Sequence, residues 1–476
     1  MDKKKLIGWI VSIVLTLFFW LLPLESYGIP GLTVVEKRVI ALFVFAACMW
    51  ICEAVPIWTT SVLVMVLMLL VTSDSMLMPF RPEGVLPDNA ISYKAIMAAF
   101  ADPTVMLFMG GFVLAIAATK YKFDAALAKA LMRPFGDKPA MVMLGFILIT
   151  ALFSMFMSNT ATAAMMLAIL TPVLASLKDS RGRIGLALSI PVAANVGGMG
   201  TPIGTPPNAV AVKYLNETLP EPVGFGNWML VMVPVVILVL FLAWVFLCKV
   251  FPFGKGETVK VEIEGEFDKS PKAWVVYITF IVTILLWVTG KWTGLNANVV
   301  ALVPFATFAI CGIFDKNDLR KVDWDVLWLV AGGFALGVGL DKTGLASHLV
   351  EAIPFNTWPV MLVIIGSGLL CILMSTFMSN SATAALLIPI LAAVGSGMTE
   401  QLAPFGGVAT LLVGIALSAS LAMALPISTP PNALAYAKGF IKQKDMALVG
   451  IFVGIVGMII AYSILIFAGK MGLLVG

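Results

Sequence analysis

Ser158, Asn159 and Thr160 stand in the middle of a long apolar run, within Phe156-Met157-Ser158-Asn159-Thr160-Ala161-Thr162-Ala163-Ala164. The stretch returns as Phe377-Met378-Ser379-Asn380-Ser381-Ala382-Thr383-Ala384-Ala385, with Ser381 in place of Thr160 the one change. An asparagine amide offers a carbonyl to a cation and an NH₂ to an anion, and serine and threonine hydroxyls donate to carboxylates. An unpaired polar group in apolar surroundings costs several kcal/mol, so such a cluster inside a membrane needs a partner. Two copies read as one site built from two halves.

A second polar feature follows each cluster. Gly197-Gly198-Met199-Gly200-Thr201-Pro202-Ile203-Gly204-Thr205-Pro206-Pro207-Asn208 interrupts one apolar run. Ala424-Leu425-Pro426-Ile427-Ser428-Thr429-Pro430-Pro431-Asn432 interrupts another. Proline donates no backbone hydrogen bond and disfavours helix at the residue before it, so a helix must open at each place. An opened segment frees carbonyls, which suit a hard cation such as Na⁺. It also presents the N-terminus of the next half-helix, whose dipole and unpaired N–H groups suit an anion. The residues therefore predict two Na⁺ sites flanking one anion site.

The elements that must carry these features are membrane helices. Of the 476 residues 61% are hydrophobic and 12% charged, far from the roughly 25% charged of soluble domains. Apolar runs at 6–24, 39–56, 57–73, 103–119, 183–199, 228–250, 273–290, 295–314, 326–340, 407–424 and 446–469 give eleven candidate spans. The pieces 140–177 and 358–395 carry the polar clusters and are expected to be re-entrant hairpins that turn at the cluster. The run after Met1–Lys5 is too long for a signal peptide and is expected to be the first span. Residues 120–134 and 341–354 are expected to be helices lying along the membrane surface. Residues 251–272 read as a cytoplasmic linker.

The duplication extends beyond the clusters. Gly110-Gly111-Phe112 returns as Gly332-Gly333-Phe334, Pro134-Phe135 as Pro354-Phe355, and Thr205-Pro206-Pro207-Asn208 as Thr429-Pro430-Pro431-Asn432. Their separations of 222, 220 and 224 agree with 221 for the Ser-Asn clusters, the mark of an internal repeat. Five crossings lie between the hairpins, an odd number, so the repeats are inverted. With the N-terminus inside, 22 of the 30 basic residues fall on the inner side, as the positive-inside rule requires. The net charge of +4 thus reports topology and gives no sign of a nucleic-acid partner.

Other chemistry is poorly served. Neither tip and neither break holds Lys, Arg, His, Asp or Glu. That argues against an arginine anion clamp and against a central proton-coupling carboxylate. Glu53 and Asp102 sit near span ends and read as interfacial. The five cysteines form no CxxC and read as free thiols; His348, the single histidine, reads as a surface residue. No acid pair, Ser/His arrangement or metal cluster in a span suggests an enzyme. Inverted repeats with broken helices point to alternating access at a midplane site, not to a continuous pore.

With its paired tips, paired Thr-Pro-Pro-Asn breaks and eleven candidate spans, the chain resembles over nearly its whole length the divalent anion/sodium symporter family, which includes INDY-type bacterial di- and tricarboxylate transporters. The resemblance implies an all-α polytopic homodimer in the bacterial inner membrane, with eleven transmembrane helices and two re-entrant hairpins in inverted repeats. The N-terminus would be cytoplasmic and the C-terminus outside. A scaffold (1–139 and 273–357) and a transport domain (140–250 and 358–476) would be joined by the linker and move as an elevator. One sodium would be held by Ser154, Ser158, Asn159 and Gly204, and another by Ser375, Asn380 and Ser428. The substrate carboxylates would lie between Ser158-Asn159-Thr160 and Ser379-Asn380-Ser381, near Thr205-Pro206 and Thr429-Pro430. Ser381, where the family more usually has threonine, keeps the hydroxyl and loses a methyl. The expected function is sodium-coupled import of C4-dicarboxylates such as succinate, malate and fumarate, with Na⁺ the coupling ion and no organic cofactor. The alternatives are a sodium-independent dicarboxylate exchanger or a symporter of citrate or another divalent anion.

Overall fold

The structure is a computed structural model and describes residues 3–177, 181–220, 222–254, 257–259, 261, 266–352 and 357–473. Among them the chain is helical, with one isolated bridge between Ser73 and Ile91. Pro354-Phe355 of the repeat, and Lys178, Lys255 and Lys260 of the inner basic set, lie outside the described residues.

The first four apolar runs become α1 (Lys3–Leu21), α2 (Val34–Cys52), α3 (Ile57–Val71) and α4 (Pro103–Lys120). A reciprocal cap opens α2. Thr33 Oγ1 accepts from Glu36 N at 3.3 Å, and Glu36 Oε2 accepts from Thr33 N at 2.7 Å. Asp102 opens α4 by accepting from Thr104 N at 2.8 Å. The first surface segment is helical as expected, α5 (Phe123–Met132).

The stretch expected to be the first hairpin is two helices, α6 (Pro139–Ser154) and α7 (Asn159–Ser176), parted by Met155–Ser158. They pack on each other, and both pack on α8 (Arg181–Gly197). After the break come α9 (Pro206–Thr218) and the long α10 (Phe225–Val250). The second half runs α11 (Pro271–Val288), α12 (Leu302–Ile310), α13 (Trp324–Thr343) and α14 (Leu345–Ala352), the last in the second surface segment. It continues as α15 (Ser367–Phe377), α16 (Asn380–Gly397), α17 (Gly407–Leu421), α18 (Pro430–Ala437) and α19 (Gln443–Lys470). Proline stands at the first position of α4, α6, α9, α11 and α18, where its missing N–H removes no helical bond. Gly406, at φ 91°, lets the chain turn by 71° into α17.

Among the described residues six helices are long and apolar enough to cross a membrane, and a seventh span comes from the bent pair ending in α17. Six shorter apolar helices fill further expected runs and hairpin arms: Lys5–Leu21, Ile57–Val71, Pro139–Ser154, Asn159–Leu174, Ala297–Ile310 and Leu362–Phe377. The exposed faces of the long helices are apolar, as at Ile237, Phe241, Ile278, Ile455 and Ile459, the pattern of segments facing lipid. This is a multi-pass membrane protein.

Packing falls along two lines. In one, α2 packs on α1 and α3, α3 on α13, and α4 on α12. In the other, α6, α7 and α10 surround α8, α17 packs on α9, α15, α16 and α19, and α10 packs on α19. The halves of the sequence are also joined at the end of α4. Lys120 Nζ there meets the Asp318 carboxylate at 2.5 Å and donates to the Ile313 carbonyl at 2.8 Å. Lys321 Nζ reaches the other Asp318 oxygen at 2.9 Å. Burial raises the Asp318 carboxyl, but the hydrogen bonds from Lys120 and Lys321 outweigh it and hold the group below its ordinary range. A group shifted downward stabilises the fold above its unfolded pKa and loses that contribution as pH falls through the folded value. Asp318→Asn is therefore expected to cost about 1 kcal/mol near neutrality, since the carboxylate is buried but both lysine partners reach solvent. Thermal midpoints of parent and variant should differ at pH 7 and converge in acid below the ordinary carboxylate range. A gap of constant size across that range would remove this account.

His348, read as a surface residue, keeps 30% of its side chain exposed, and its Nδ1 lies 2.8 Å from Oε1 of Glu36, which is fully buried. The pair ties α14 to the opening of α2. Of Glu53 and Asp102, expected at the interface, Glu53 ends α2 in the left-handed region at φ 44°. Asp102, besides capping α4, lies 3.8 Å from Lys213 on α9. The five cysteines are free.

Candidate functional site

Ser158 ends the turn after α6 and caps α7, its Oγ 3.4 Å from Ala161 N. This leaves Asn159 as the first residue of α7, with its side chain turned back to Ser154. Ser154 Oγ lies 2.6 Å from one terminal atom of the Asn159 amide and donates to the Ala194 carbonyl at 2.6 Å. The same amide atom is 3.0 Å from the Gly204 carbonyl and 3.3 Å from that of Ala194. All its neighbours can accept, so the network assigns the NH₂ to this position. Oxygens from α6, α8 and the first break thus converge on one point. Such a set takes either an N–H or a cation, and a half-turn of the amide adds Oδ1 to the oxygens.

The break itself is pinned. Asn208 Nδ2 donates to the carbonyls of Gly198 at 3.0 Å and Thr201 at 2.8 Å. Trp228 Nε1 holds the Met199 carbonyl at 3.0 Å, and the Thr201 hydroxyl donates to the Met155 carbonyl in the tip. Approach is close enough to require glycine. A Cβ on Gly204 would stand 2.3 Å from the Gly198 carbonyl oxygen, and one on Gly198 would stand 2.6 Å from the tip of the Asn159 amide.

The second half repeats the plan. Ser379 caps α16, accepting from Ala382 N at 3.1 Å. Ser375 Oγ donates to Asn380 Oδ1 at 2.7 Å and lies 3.2 Å from the Ala419 carbonyl. Asn432 Nδ2 pins the second break through the carbonyls of Met423 at 2.8 Å and Leu425 at 3.0 Å. Ser428 Oγ donates to Thr376 O at 2.9 Å, tying the break to the second tip, and accepts from Leu425 N at 3.1 Å.

These bonds link four helix N-termini. Asn159 joins α7 to the residue before Thr205 and α9. Ser428 joins the start of α18 to the tip that leads into α16. The first half meets the second through Asn195 on α8, whose Nδ2 donates to Thr429 Oγ1 at 3.1 Å and Asn432 Oδ1 at 3.2 Å. Helix α18 packs on α7 and α8, and α9 packs on α16. Four N-termini linked in this way favour negative charge.

The expected residues divide into three groups. Ser154, Asn159 and Gly204 come together, as do Ser375 and Asn380, with Ser428 bonded beside the second pair. The hydroxyls of Ser158 and Ser379 serve as helix caps. Thr160 is exposed, Ser381 and Pro206 are half-buried, Pro430 is exposed, and Thr205 and Thr429 are buried at helix starts. Ala194, Thr201 and Asn195 were not foreseen. Carbonyl oxygens have no signal in residue type, but Asn195 had one: an amide in an apolar run with no copy in the second half. Among the described residues no group of three or more His, Cys, Asp or Glu is placed to hold a metal.

Residues 47–411 match the sequence profile of CitMHS, the citrate transporters. The chain belongs to the CitMHS family. Several transporters similar to this CitMHS member are known over nearly their full length. The sodium-dependent dicarboxylate transporter SdcS of Staphylococcus saprophyticus is 28% identical, with 98% of this chain and 92% of that one covered. An uncharacterized transporter of Haemophilus influenzae is 32% identical, with 95% of each covered. In fold the CitMHS chain is similar to the Alcanivorax borkumensis YdaH transporter, with TM-score 0.56 and 13% identity over 81% of this chain and 89% of that one. It is also similar to Neisseria gonorrhoeae MtrF, an antimetabolite efflux pump, with TM-score 0.54 and 11% identity over 93% and 96%. A CitMHS protein is a transporter and not an enzyme.

Proposed function

We propose that this chain is a sodium-coupled secondary transporter that imports C4-dicarboxylates of the succinate, malate and fumarate class. The observation that carries the reading is the convergence of Ser154, Ala194, Gly204 and the Asn159 amide on one point, beside linked helix N-termini, with no charged residue in either tip or either break. A dianion there needs positive charge that side chains do not supply. Sodium bound among these oxygens supplies it, and helix N-termini add partial charge. The name of the SdcS relative, a sodium-dependent dicarboxylate transporter, agrees.

In this reading one sodium takes Ser154, Asn159 and Gly204, with Ser158 at the cap of the same tip. The other takes Ser375, Asn380 and Ser428. The substrate carboxylates meet Ser158, Asn159 and Thr160 from one tip and Ser379, Asn380 and Ser381 from the other, flanked by Thr205, Pro206, Thr429 and Pro430. The helices around α8 and α17 form the transport body, and α2, α3, α4 and α13 belong to the scaffold of a homodimer. The body slides against the scaffold to expose the site to each side of a bacterial inner membrane in turn. The N-terminus is cytoplasmic. Two sodiums with one dianion move no net charge, so an electrogenic cycle would need a further cation.

Purified protein in liposomes is expected to accumulate labelled succinate down an inward Na⁺ gradient. Replacing Na⁺ by choline should reduce uptake to the level of empty liposomes. Uptake that ignores the cation and needs internal dicarboxylate would make the protein an exchanger. Stronger competition by citrate than by malate would move the substrate to tricarboxylates.

A further inference from the structure

We propose that Asn195 is a positioning residue that couples the two halves of the site, so that an ion at the first tip sets the shape of the second break. The inference rests on the sodium-coupled reading above.

Its basis is the adjacency of two residues on α8. The Ala194 carbonyl belongs to the first oxygen cluster, accepting from Ser154 Oγ at 2.6 Å and lying 3.3 Å from the Asn159 amide. The next residue sends its side chain the other way. Asn195, 1% exposed, donates to Thr429 Oγ1 at 3.1 Å and to Asn432 Oδ1 at 3.2 Å. Both acceptors organise the second break. Thr429 Oγ1 accepts from Asn432 N at 3.3 Å, and Asn432 Nδ2 holds the carbonyls of Met423 and Leu425. One peptide unit thus separates an oxygen of the first cluster from the donor that steadies the second break. A cation that draws the Ala194 carbonyl tilts that peptide and shifts the Asn195 amide with it. The surrounding packing is tight, so the shift passes to Thr429 and Asn432.

The strut runs one way in an otherwise repeated design. Ala419 is the counterpart of Ala194, since each lies by the serine of its tip. The residue after Ala419 is Ser420, and its hydroxyl bonds the Ala416 carbonyl of its own helix at 3.1 Å. Asn208 Oδ1, counterpart of the oxygen that Asn195 reaches, is buried and accepts no hydrogen bond among the described residues. Although the connection is built from one side, the energetic coupling is mutual, as linkage requires.

The test uses the full chain in liposomes, with Asn195→Leu, which keeps the branched shape without polar atoms, and Asn195→Ala. Parent uptake of labelled succinate should rise sigmoidally with Na⁺. In both variants the Hill coefficient is expected to fall below the parent's, towards the shallower curve of two sites that must both be filled but no longer help each other. A second measurement is independent of sodium. Ser154→Ala and Thr429→Val, singly and together, should show effects that depart from multiplicative by about threefold or more, as coupled neighbours do. The departure should vanish in the Asn195→Leu background. The same cycle read in thermal midpoints serves variants with no residual uptake. An unchanged Hill coefficient in both Asn195 variants, or a cycle that is multiplicative in the parent, overturns the coupling. Uptake that ignores sodium while the cycle keeps its departure removes the sodium reading and leaves the coupling standing.

Discussion

Asn159→Ala is expected to bring succinate uptake down by about 100-fold or more, at the upper end of what loss of a site-organising contact costs, and Asn380→Ala to do the same. Both proteins should remain in the membrane at parental amounts. Each asparagine stands at the first turn of a helix and turns its amide back to a serine of the preceding arm, Ser154 or Ser375. Alanine keeps the helix and its cap, because Ser158 and Ser379 provide the cap. It removes the one group that can offer oxygen to a cation and N–H to a carboxylate. The measurement is initial uptake in liposomes normalised to reconstituted protein. Near-parental rates in both variants would reduce the tips to polar packing between helices.

Gly204→Ala has the next largest expected effect. Its new Cβ would stand 2.3 Å from the Gly198 carbonyl oxygen, which is backbone and has no rotamer to escape by. The break must widen, and the Gly204 carbonyl leaves the cluster around Asn159. The Na⁺ concentration for half-maximal uptake is expected to rise by about 10-fold or more, the scale on which misplaced ligands weaken an ion site. Gly224→Ala is the control. Its Cβ would meet Asn227 at 3.8 Å, an ordinary contact, and its φ of −69° suits alanine. Equal Na⁺ dependence in the two variants would show that the first break holds no cation.

The sequence made the tips and breaks legible because each is a polar interruption of an apolar run, and because each occurs twice. Proline marked where the first hairpin's leading arm and both half-helices begin, since its missing N–H fits the first position of a helix. Ser154 and Asn159 are one and a half turns apart across a bend, so their pairing belongs to the tip itself. What the sequence hid was tertiary. The Ala194 carbonyl is an oxygen that any residue carries, so no residue type announces it. Asn195 reads alone as a stray amide, and its role depends on α18 packing against α8. His348 found the buried Glu36 for the same reason: the partners are distant in the chain and meet only once α14 lies over the start of α2.

The paired amides of Asn208 and Asn432 each clasp two carbonyls across an interrupted helix. A segment gripped like this is largely formed before any guest arrives, so a bound ion has only to shift it. Fixing loose backbone costs about 1–2 kcal/mol for each residue, and here that cost falls once, while the chain folds, and not at every turnover. Binding a cargo then calls for a small displacement of walls already in place, and not for ordering them afresh.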